Sequence, residues 1–236
     1  IIPMAGKGSR FLDAANLNPE YKKPKPLIKI LGKPMIAWAI DSLAKFKVKP
    51  AGYIFICRKD HEDEFKISQS LKNLFGSQIK IILIDQITRG AAETVLKAEE
   101  YINTDEDILI SDSDHYFDGS FLYDKIRSKD SKTAGIIPVF QPPDQDPKWS
   151  FSLVEKADVI TAVGEKDKEL AAKGALANIG GYYFTHGNVF VKKEFYVAPI
   201  YQRLINKGMK IVAAITPRVW GLGTPKDVEY FEKNFI

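Results

Sequence analysis

The sequence opens with Ile1-Ile2-Pro3-Met4-Ala5-Gly6-Lys7-Gly8-Ser9-Arg10-Phe11, and Pro24-Lys25-Pro26-Leu27 follows a short distance downstream. The opening apolar residues predict the end of a buried strand that runs into a Gly-rich turn. Gly6 and Gly8 can adopt positive φ and, lacking side chains, allow backbone N–H groups to approach an anion closely. Arg10 and Lys25 add positive charge, so the two stretches together outline a cradle for a triphosphate.

The opening stretch does not match the two most familiar phosphate-binding motifs. The dinucleotide fingerprint requires a third Gly where Phe11 stands, and the P-loop requires Gly-Lys-Ser/Thr after four spacer residues. A Gly-x-Gly after a strand is also typical of a simple tight turn. Spacing alone therefore leaves a phosphate site and a structural turn both open.

The first half of the chain alternates between predicted strands and helices. The apolar runs predict strands at 52–57, 80–84 and 107–110, and helical spacing predicts helices at 33–44, 62–75 and 90–101. The unbroken apolar run at 80–84 is typical of a strand covered on both faces. This order predicts an α/β protein with a doubly wound, mostly parallel (mixed) Rossmann-like sheet and helices on both faces.

The second half is less regular but still rich in strands. It predicts a Pro-rich loop over the site at 141–149, a helix within 188–207, a hairpin at 150–165 turning near 156–158, and strands at 133–140, 178–185 and 211–215. Repeats, low-complexity tracts and linkers are absent from the sequence. We therefore predict a single domain, 1–236, with a nucleotide-binding half (1–132) and an acceptor-binding half (133–236).

Composition narrows the classes of function. The chain has 236 residues, and its net charge of +4 is spread along the chain, which argues against nucleic acid as a partner and suits a small anionic substrate. A single cysteine, Cys57, excludes an internal disulfide and predicts a buried structural thiol in a reducing, cytoplasmic compartment. The sequence shows no signal peptide and no membrane-spanning run, so no membrane partner is expected. A homo-oligomer is left open.

An acidic cluster follows the predicted strand at 107–110. Asp112 and Asp114 stand where ligands bind in open α/β sheets, at the carboxyl end of a strand. Two such carboxylates can hold Mg²⁺, which takes oxygen ligands and keeps contact with substrate phosphates. A solvated turn whose Asp caps the next helix is the alternative, and His115 is either a third ligand or simply a polar neighbour.

The two opening stretches together resemble the signature of the nucleotidyltransferase family that includes the sugar-1-phosphate nucleotidylyltransferases (NDP-sugar pyrophosphorylases). The resemblance implies the nucleotide-diphospho-sugar transferase fold, with Arg10 and Lys25 as catalytic residues. It also implies one metal-binding Asp. Strand hydrophobicity points to Asp112, but the residues that follow match better from Asp114, which we favour. The residues implied to hold the NTP phosphates are Ala5, Gly6, Lys7, Gly8 and Ser9.

Three further segments resemble the family in the same order. Base recognition is implied for Gln86, Gly90 and Ala91, although a Gly-containing helix start is the alternative. Glu165 and Lys166 resemble the family's Glu-Lys-Pro, with Asp167 in place of Pro, and a charged β-turn is the alternative there. Asn178 and Gly180 resemble the family's Asn-x-Gly strand, which lines the sugar site, although a Gly inside a strand can also mark a bulge. The full set implied to bind the acceptor is Glu165, Lys166, Asn178 and Gly180.

The late segment Trp220-Gly221-Leu222-Gly223-Thr224-Pro225 resembles the family's Trp-x-Asp-x-Gly-Thr-Pro but is one residue shorter. Gly221 stands where the family often has its second metal-binding Asp. This departure leaves two interpretations open. In one, Mg²⁺ is held by Asp112 or Asp114 together with phosphate and water. In the other, the chain belongs to a subgroup of the family that uses a different acceptor.

The resemblance implies transfer of NMP from an NTP to a phosphorylated acceptor, most simply a sugar-1-phosphate, with release of pyrophosphate and Mg²⁺ as cofactor. The expected partners are therefore an NTP and a small phosphorylated acceptor. Alternatives are a CTP-dependent cytidylyltransferase for a small non-sugar phosphate such as phosphocholine, a nucleotide-sugar-dependent glycosyltransferase and a regulatory domain that only binds nucleotide. Aromatic residues that could cage a choline group, or pack in the core, are Trp149, Tyr182, Tyr183 and Trp220.

Overall fold

The computed structural model describes residues 1–143, 149–191 and 196–235. In chain order its strands are β1 (Ile2–Pro3), β2 (Lys29–Ile30), β3 (Lys33–Pro34), β4 (Ile54–Arg58), β5 (Lys80–Ile84), β6 (Ile108–Ser111), β7 (His115–Phe117), β8 (Thr133–Phe140), β9 (Ser150–Val154), β10 (Ile160–Glu165), β11 (Leu176–Asn178), β12 (Gly181–Phe184), β13 (Lys210–Ile215) and β14 (Val219–Gly221). Its α-helices are α1 (Ser9–Leu12), α2 (Met35–Asp41), α3 (Lys59–Phe65), α4 (Ile67–Phe75), α5 (Ala91–Val95), α6 (Glu99–Ile102), α7 (Ser120–Arg127), α8 (Lys168–Ala172), α9 (Val197–Asn206) and α10 (Pro225–Asn234).

The described part of the chain divides into two compact units that interleave in sequence. Unit 1 comprises Ile1–Thr88, Ser111–Phe117 and Val219–Ile236, and unit 2 comprises Arg89–Ile110 and Asp118–Arg218. The division into halves at 1–132 and 133–236 stays a prediction about domains.

Unit 1 is built on a parallel sheet in the order β1-β4-β5, with Ile2 opposite Phe55 and Ile56 opposite Ile82. Two antiparallel pairs, β2–β3 and β7–β14, complete its strands. Its helices cover two groups of core side chains, one around Phe55 and one around Phe231. The strand predicted at 80–84 is confirmed, but Leu83 is 41% exposed because β5 is the edge of this sheet and is not covered on both faces.

Unit 2 is built on a mixed sheet in the order β10-β9-β11-β8-β12-β6, and β13 also pairs with β8. The β8–β13 pair is parallel, whereas β8 is antiparallel to β11 and β12. Every residue of β8 is buried, so β8 is the centre of this unit. Tyr201 of α9 anchors one face, since its hydroxyl donates to the Tyr183 carbonyl at 2.7 Å and its ring stacks on Phe184 at 4.4 Å.

Among the predicted elements, two are interrupted at a left-handed residue. The helix predicted at 62–75 becomes α3 and α4 because Lys66 has φ 50° and the Ser68 N–H donates to the Glu62 carboxylate at 2.8 Å. The strand predicted at 178–185 is broken at Gly180, which has φ 89°. The hairpin predicted at 150–165 is confirmed, whereas positions 144–148 of the predicted Pro-rich loop lie outside the described residues.

Local chemistry sets where the helices near the predicted site begin. Pro225 occupies the first turn of α10, and the Thr224 hydroxyl accepts from the Asp227 N–H at 3.1 Å. Both features are typical helix-start signals. In the described residues, no helix combines the length and the apolar character that crossing a membrane requires.

Candidate active site

The Gly-rich loop of unit 1 lies directly against the Pro-Lys-Pro segment. Ala5 is buried after β1, whereas Gly6 and Lys7 are exposed. Gly8 has φ 65°, a left-handed conformation that favours glycine, and a Cβ built there would lie 3.6 Å from the Cβ of Lys25. Two stretches that are separate in sequence therefore meet at Gly8 and Lys25.

The chain after Gly8 turns at once into the short helix α1. The Gly8 carbonyl accepts from the N–H groups of Phe11 and Leu12 at 3.0 and 3.2 Å. Phe11 is buried edge-on against Tyr21, with ring centroids 5.1 Å apart. This anchor leaves Ser9 and Arg10 exposed on the other side of the turn, where they can meet a ligand.

Lys25 is the best-held cation of the predicted set. It stands between the buried residues Pro24 and Pro26, and its ammonium lies 6.0 Å from the Phe11 ring. Its Nζ forms an ion pair with Asp114 Oδ2. Burial raises the pKa of Asp114, but the Lys25 charge and hydrogen bond outweigh burial, so the pKa of Asp114 lies below its ordinary value.

Asp114 is held in place through the backbone on both sides. The Ser111 N–H donates to the Ile1 carbonyl at 3.0 Å, which ties the preceding residues to β1. The Leu222 N–H donates to the Asp114 carbonyl at 2.8 Å, and Gly221 pairs with His115 across β7 and β14. The late segment therefore lies beside Asp114, which is the Asp that the sequence favoured over Asp112.

His115 is part of the core and not an open ligand. It is 3% exposed, and burial lowers its pKa to about 4, so the imidazole is neutral near pH 7. Its Nε2 lies 3.4 Å from the Ser111 hydroxyl, and its ring lies 5.3 Å from that of Phe117. These contacts agree with its interpretation as a polar neighbour of Asp114.

The space beside Gly223 is bordered by two carboxylates, the kind of group that binds a divalent cation. A Cβ built on Gly223 would lie 3.2 Å from Asp114 Oδ2, 3.8 Å from Asp227 Oδ2 and 3.9 Å from Lys25 Nζ. Two carboxylates suit Mg²⁺, which is usually bound by one or two carboxylates plus substrate phosphates. Among the described residues no group of three or more His, Cys, Asp and Glu forms a metal cluster, so phosphate or water oxygens would have to complete the shell.

Asp227 was not among the residues predicted from the sequence, although the helix-start pattern Thr-Pro-x-Asp marks its position.

The residues predicted to read the base belong to different units, because the division of the chain falls between Thr88 and Arg89. In unit 1, Gln86 is exposed just after β5. In unit 2, the Gly90 carbonyl accepts from the Thr94 N–H at 3.1 Å and Ala91 begins α5. The segment therefore contains the Gly-containing helix start that the sequence predicts as the alternative to base recognition.

The acceptor segment of unit 2 is a charged turn at the end of β10. Glu165 accepts a hydrogen bond from the Ser150 hydroxyl, and Lys166 is exposed with φ 51°. Asp167 Oδ1 accepts from the N–H groups of Glu169 and Leu170 at 2.9 and 3.0 Å. Asp167, which replaces the family's Pro, is therefore the N-cap of α8.

The side chain of Asn178 is buried, and one of its two polar groups has no hydrogen-bond partner among the described residues. Its Oδ1 accepts from the Ser152 hydroxyl at 2.7 Å, and among the described residues its Nδ2 has no hydrogen-bond partner. The buried Thr216 hydroxyl also has none there. Asn178 pairs with Val139 in the sheet, and the Thr216 N–H donates to the Val139 carbonyl at 2.9 Å, so both groups flank one residue. Gly180, also buried, lies close by in sequence with its left-handed backbone.

The aromatic residues considered for a choline cage are used in packing. Trp220 belongs to the core of unit 1 and lies 5.4 Å from the Phe231 ring. In unit 2, the Tyr183 hydroxyl donates to Asp107 at 3.0 Å, and Trp149 packs edge-on against Phe140. Tyr182 is buried beside Tyr201.

Comparison with known proteins identifies the class. The model of the nucleotidyl transferase family matches residues 1–218. The chain belongs to the nucleotidyl transferase family, and it is an enzyme of the nucleotidyltransferase type. The predicted family and fold class are therefore confirmed. No curated protein matches the chain in sequence.

Solved structures share the fold over nearly the full length. The nucleoside-diphosphate-sugar pyrophosphorylase from Vibrio cholerae RC9 has 24% identity, covers 99% of each chain and gives a TM-score of 0.76. The inositol-1-phosphate CTP transferase from T. maritima has 17% identity, covers 100% of this chain and 96% of that chain, and gives 0.75. The UTP-bound UGPase from Acinetobacter baumannii has 15% identity, covers 99% and 91%, and gives 0.73.

Proposed function

We propose that this enzyme transfers a nucleoside monophosphate from an NTP to a hydroxyl-bearing phosphorylated acceptor, most simply a sugar-1-phosphate. An acceptor phosphate oxygen attacks the α-phosphorus in line. The bond from the α-phosphorus to the bridging oxygen of the β-phosphate breaks, and pyrophosphate leaves. The observation that carries the proposal is the contact of Lys25 with both the Gly8 loop and Asp114.

Each group in unit 1 has a role suited to phosphate chemistry. The loop from Ala5 to Ser9 offers backbone N–H groups to the triphosphate, with Lys7 adding a charge. Arg10, exposed after the turn, neutralises the phosphates that leave. Lys25 stabilises the charge that develops on the reacting phosphate, so catalysis rests on positioning and charge with no protein nucleophile.

Mg²⁺ would be held by Asp114 with phosphate oxygens, and it would supply neutralisation of the triphosphate charge. Asp112, in the same turn, remains a candidate ligand from the sequence. Before Asp114 can bind the metal and Lys25 can bind the reacting phosphate, the lysine must exchange Asp114 for a phosphate oxygen. In the ligand-free enzyme the ion pair therefore holds Lys25 close to the position that catalysis requires.

The buried donor of Asn178 supports a hydroxyl-bearing acceptor. A buried N–H group without a partner costs about 1–3 kcal/mol, and native structures usually supply one. A sugar or inositol hydroxyl can accept that hydrogen bond, whereas a trimethylammonium group cannot. Phosphocholine is therefore less well supported, since the four aromatic residues considered for a choline cage are used in packing. Glu165 and Lys166 are proposed to bind acceptor hydroxyls and phosphate, and Gly180 to allow close approach.

The donor base stays open between the common nucleotides. Gln86 offers one donor and one acceptor for a base edge, and Gly90 and Ala91 leave room for a flat ring. The family assignment supports nucleotidyl transfer over glycosyl transfer. A regulatory domain that only binds nucleotide would bind NTP but would release no pyrophosphate.

A matrix of the common NTPs against phosphorylated acceptors, read as pyrophosphate release with Mg²⁺, tests the proposal. We expect release with a sugar-1-phosphate or an inositol phosphate, and none with phosphocholine. Release with phosphocholine alone would overturn the acceptor assignment, and NTP binding without any release would overturn the reaction itself. Lys25→Ala should abolish most release, whereas the exposed neighbour substitution Lys22→Ala is the matched control.

A further inference from the structure

We propose that Asp227 supplies the second carboxylate of the metal site. In the family motif that carboxylate stands at the position of Gly221 in this chain. The inference rests on the proposed function, because it deepens the metal site of the same reaction. It concerns unit 1 only.

The carboxylates of Asp114 and Asp227 both lie beside Gly223. A Cβ built on Gly223 would lie 3.2 Å from Asp114 Oδ2 and 3.8 Å from Asp227 Oδ2, so the absence of a side chain at Gly223 lets both carboxylates face the same space. The space already attracts a cation, since the Lys25 ammonium lies 3.9 Å from the same point. Two carboxylates around one ammonium leave negative charge uncompensated there.

Asp227 is held in place by Thr224. The Thr224 hydroxyl donates to Asp227 Oδ2 at 2.7 Å, and the Asp227 N–H donates to the same hydroxyl at 3.1 Å. This reciprocal pair fixes the rotamer of the carboxylate at the start of α10. Asp227 is partly exposed, so its oxygens remain reachable.

The backbone pairing of β14 explains how this chain can have Gly221 where the family often has its second metal-binding Asp. Gly221 pairs with His115 in β14, and Leu222 donates to the Asp114 carbonyl. These bonds bring the start of α10 close to Asp114, so a carboxylate on the helix reaches the space that a strand carboxylate would otherwise serve. The segment is one residue shorter than the family motif, and Asp227 on α10 takes the role of the Asp that the shorter segment lacks.

The test is Mn²⁺ binding to the ligand-free full chain, measured by loss of the free-ion EPR signal. We expect both Asp227→Asn and Asp114→Asn to weaken Mn²⁺ binding by at least about tenfold, a loss seen even for groups that only support metal ligands. Glu229→Gln removes the same charge from an exposed position of α10 and should bind as the wild type does. Asp227→Glu keeps the charge but moves the carboxylate, and it should also bind more weakly if coordination matters.

Wild-type affinity in Asp227→Asn, together with a loss in Asp114→Asn, would overturn the inference and leave a site with one carboxylate. Unchanged binding in both variants, or no Mn²⁺ binding by the wild type, would overturn the metal site of the proposed function as well. Gly223→Ala covers the case in which Asp227→Asn fails to fold. Gly223 is not left-handed, so Ala is tolerated by the backbone, while its Cβ would approach Asp114 Oδ2 and should weaken Mn²⁺ binding. Full affinity in a folded Gly223→Ala would count against the space beside Gly223 as the site.

Discussion

Lys25 and Asp114 lie 89 positions apart in the chain, yet the lysine Nζ is ion-paired with Asp114 Oδ2. Both side chains are only partly exposed, at 22% and 30%. The pair joins the residue proposed to act on the reacting phosphate with the residue proposed to hold the metal. In the ligand-free enzyme each group therefore neutralises the other.

Lys25→Met should change metal binding and turnover in opposite directions. Without the ammonium, the two carboxylates beside Gly223 are uncompensated, and we expect ligand-free Mn²⁺ binding to tighten by about tenfold, well within the attraction between neighbouring charges. Turnover should fall by about 10²–10³-fold, the usual cost of losing one group that stabilises transition-state charge. Free-ion EPR and pyrophosphate release measure the two effects. Lys22→Met is the control, and a parallel loss of both would contradict the proposed exchange.

Ser152→Ala should damage acceptor binding without touching the NTP. The Ser152 hydroxyl donates to Asn178 Oδ1 at 2.7 Å, which fixes the orientation of the side-chain amide and of its buried donor Nδ2. Removal of the hydroxyl leaves a buried oxygen unpaired, at a cost of about 1–3 kcal/mol in the free energy of unfolding. We expect KM for the acceptor to rise and KM for the NTP to stay constant, with Ser131→Ala as an exposed control. Equal changes in both KM values would show a merely structural role.

Asp167→Ala tests whether the family's Pro was replaced for a structural reason. Asp167 caps α8 through two N–H groups, so its loss should lower the free energy of unfolding by about 1 kcal/mol. Asp167→Asn keeps an accepting oxygen and should cost much less. Urea unfolding of the two variants gives the comparison, and equal losses in both would argue for a role of the charge itself.

Cys57 should be unreactive in the folded enzyme. It is fully buried in β4, and burial raises the pKa of its thiol to about 12. The thiolate, which is the nucleophile, is therefore nearly absent at pH 8, and access is also blocked. Iodoacetamide followed by mass spectrometry should label Cys57 only after denaturation. Rapid labelling of the native protein would show that β4 opens easily.

The fold was largely predictable because its signals are local. Apolar runs mark β4, β5 and β8, Asp167 marks the start of α8, and Thr224 with Pro225 marks the start of α10. The breaks at Lys66 and Gly180 were not predicted, since each depends on one backbone conformation that the surrounding contacts select. The exposure of β5 was also missed, because an apolar run does not tell a central strand from an edge strand.

By itself, the sequence determined the reaction class. The Gly-rich turn and Pro-Lys-Pro carry their chemistry in adjacent residues, and phosphate binding needs little more than glycine backbone and fixed positive charge. Only the tertiary structure decided which carboxylate pairs with Lys25 and which second carboxylate lies beside Gly223. Asp114 and Asp227 reach the space beside Gly223 through the β7–β14 pair and the start of α10, elements that are distant in sequence. Spacing along the chain cannot encode that meeting, because it depends on how strands pair and on where a helix begins after them.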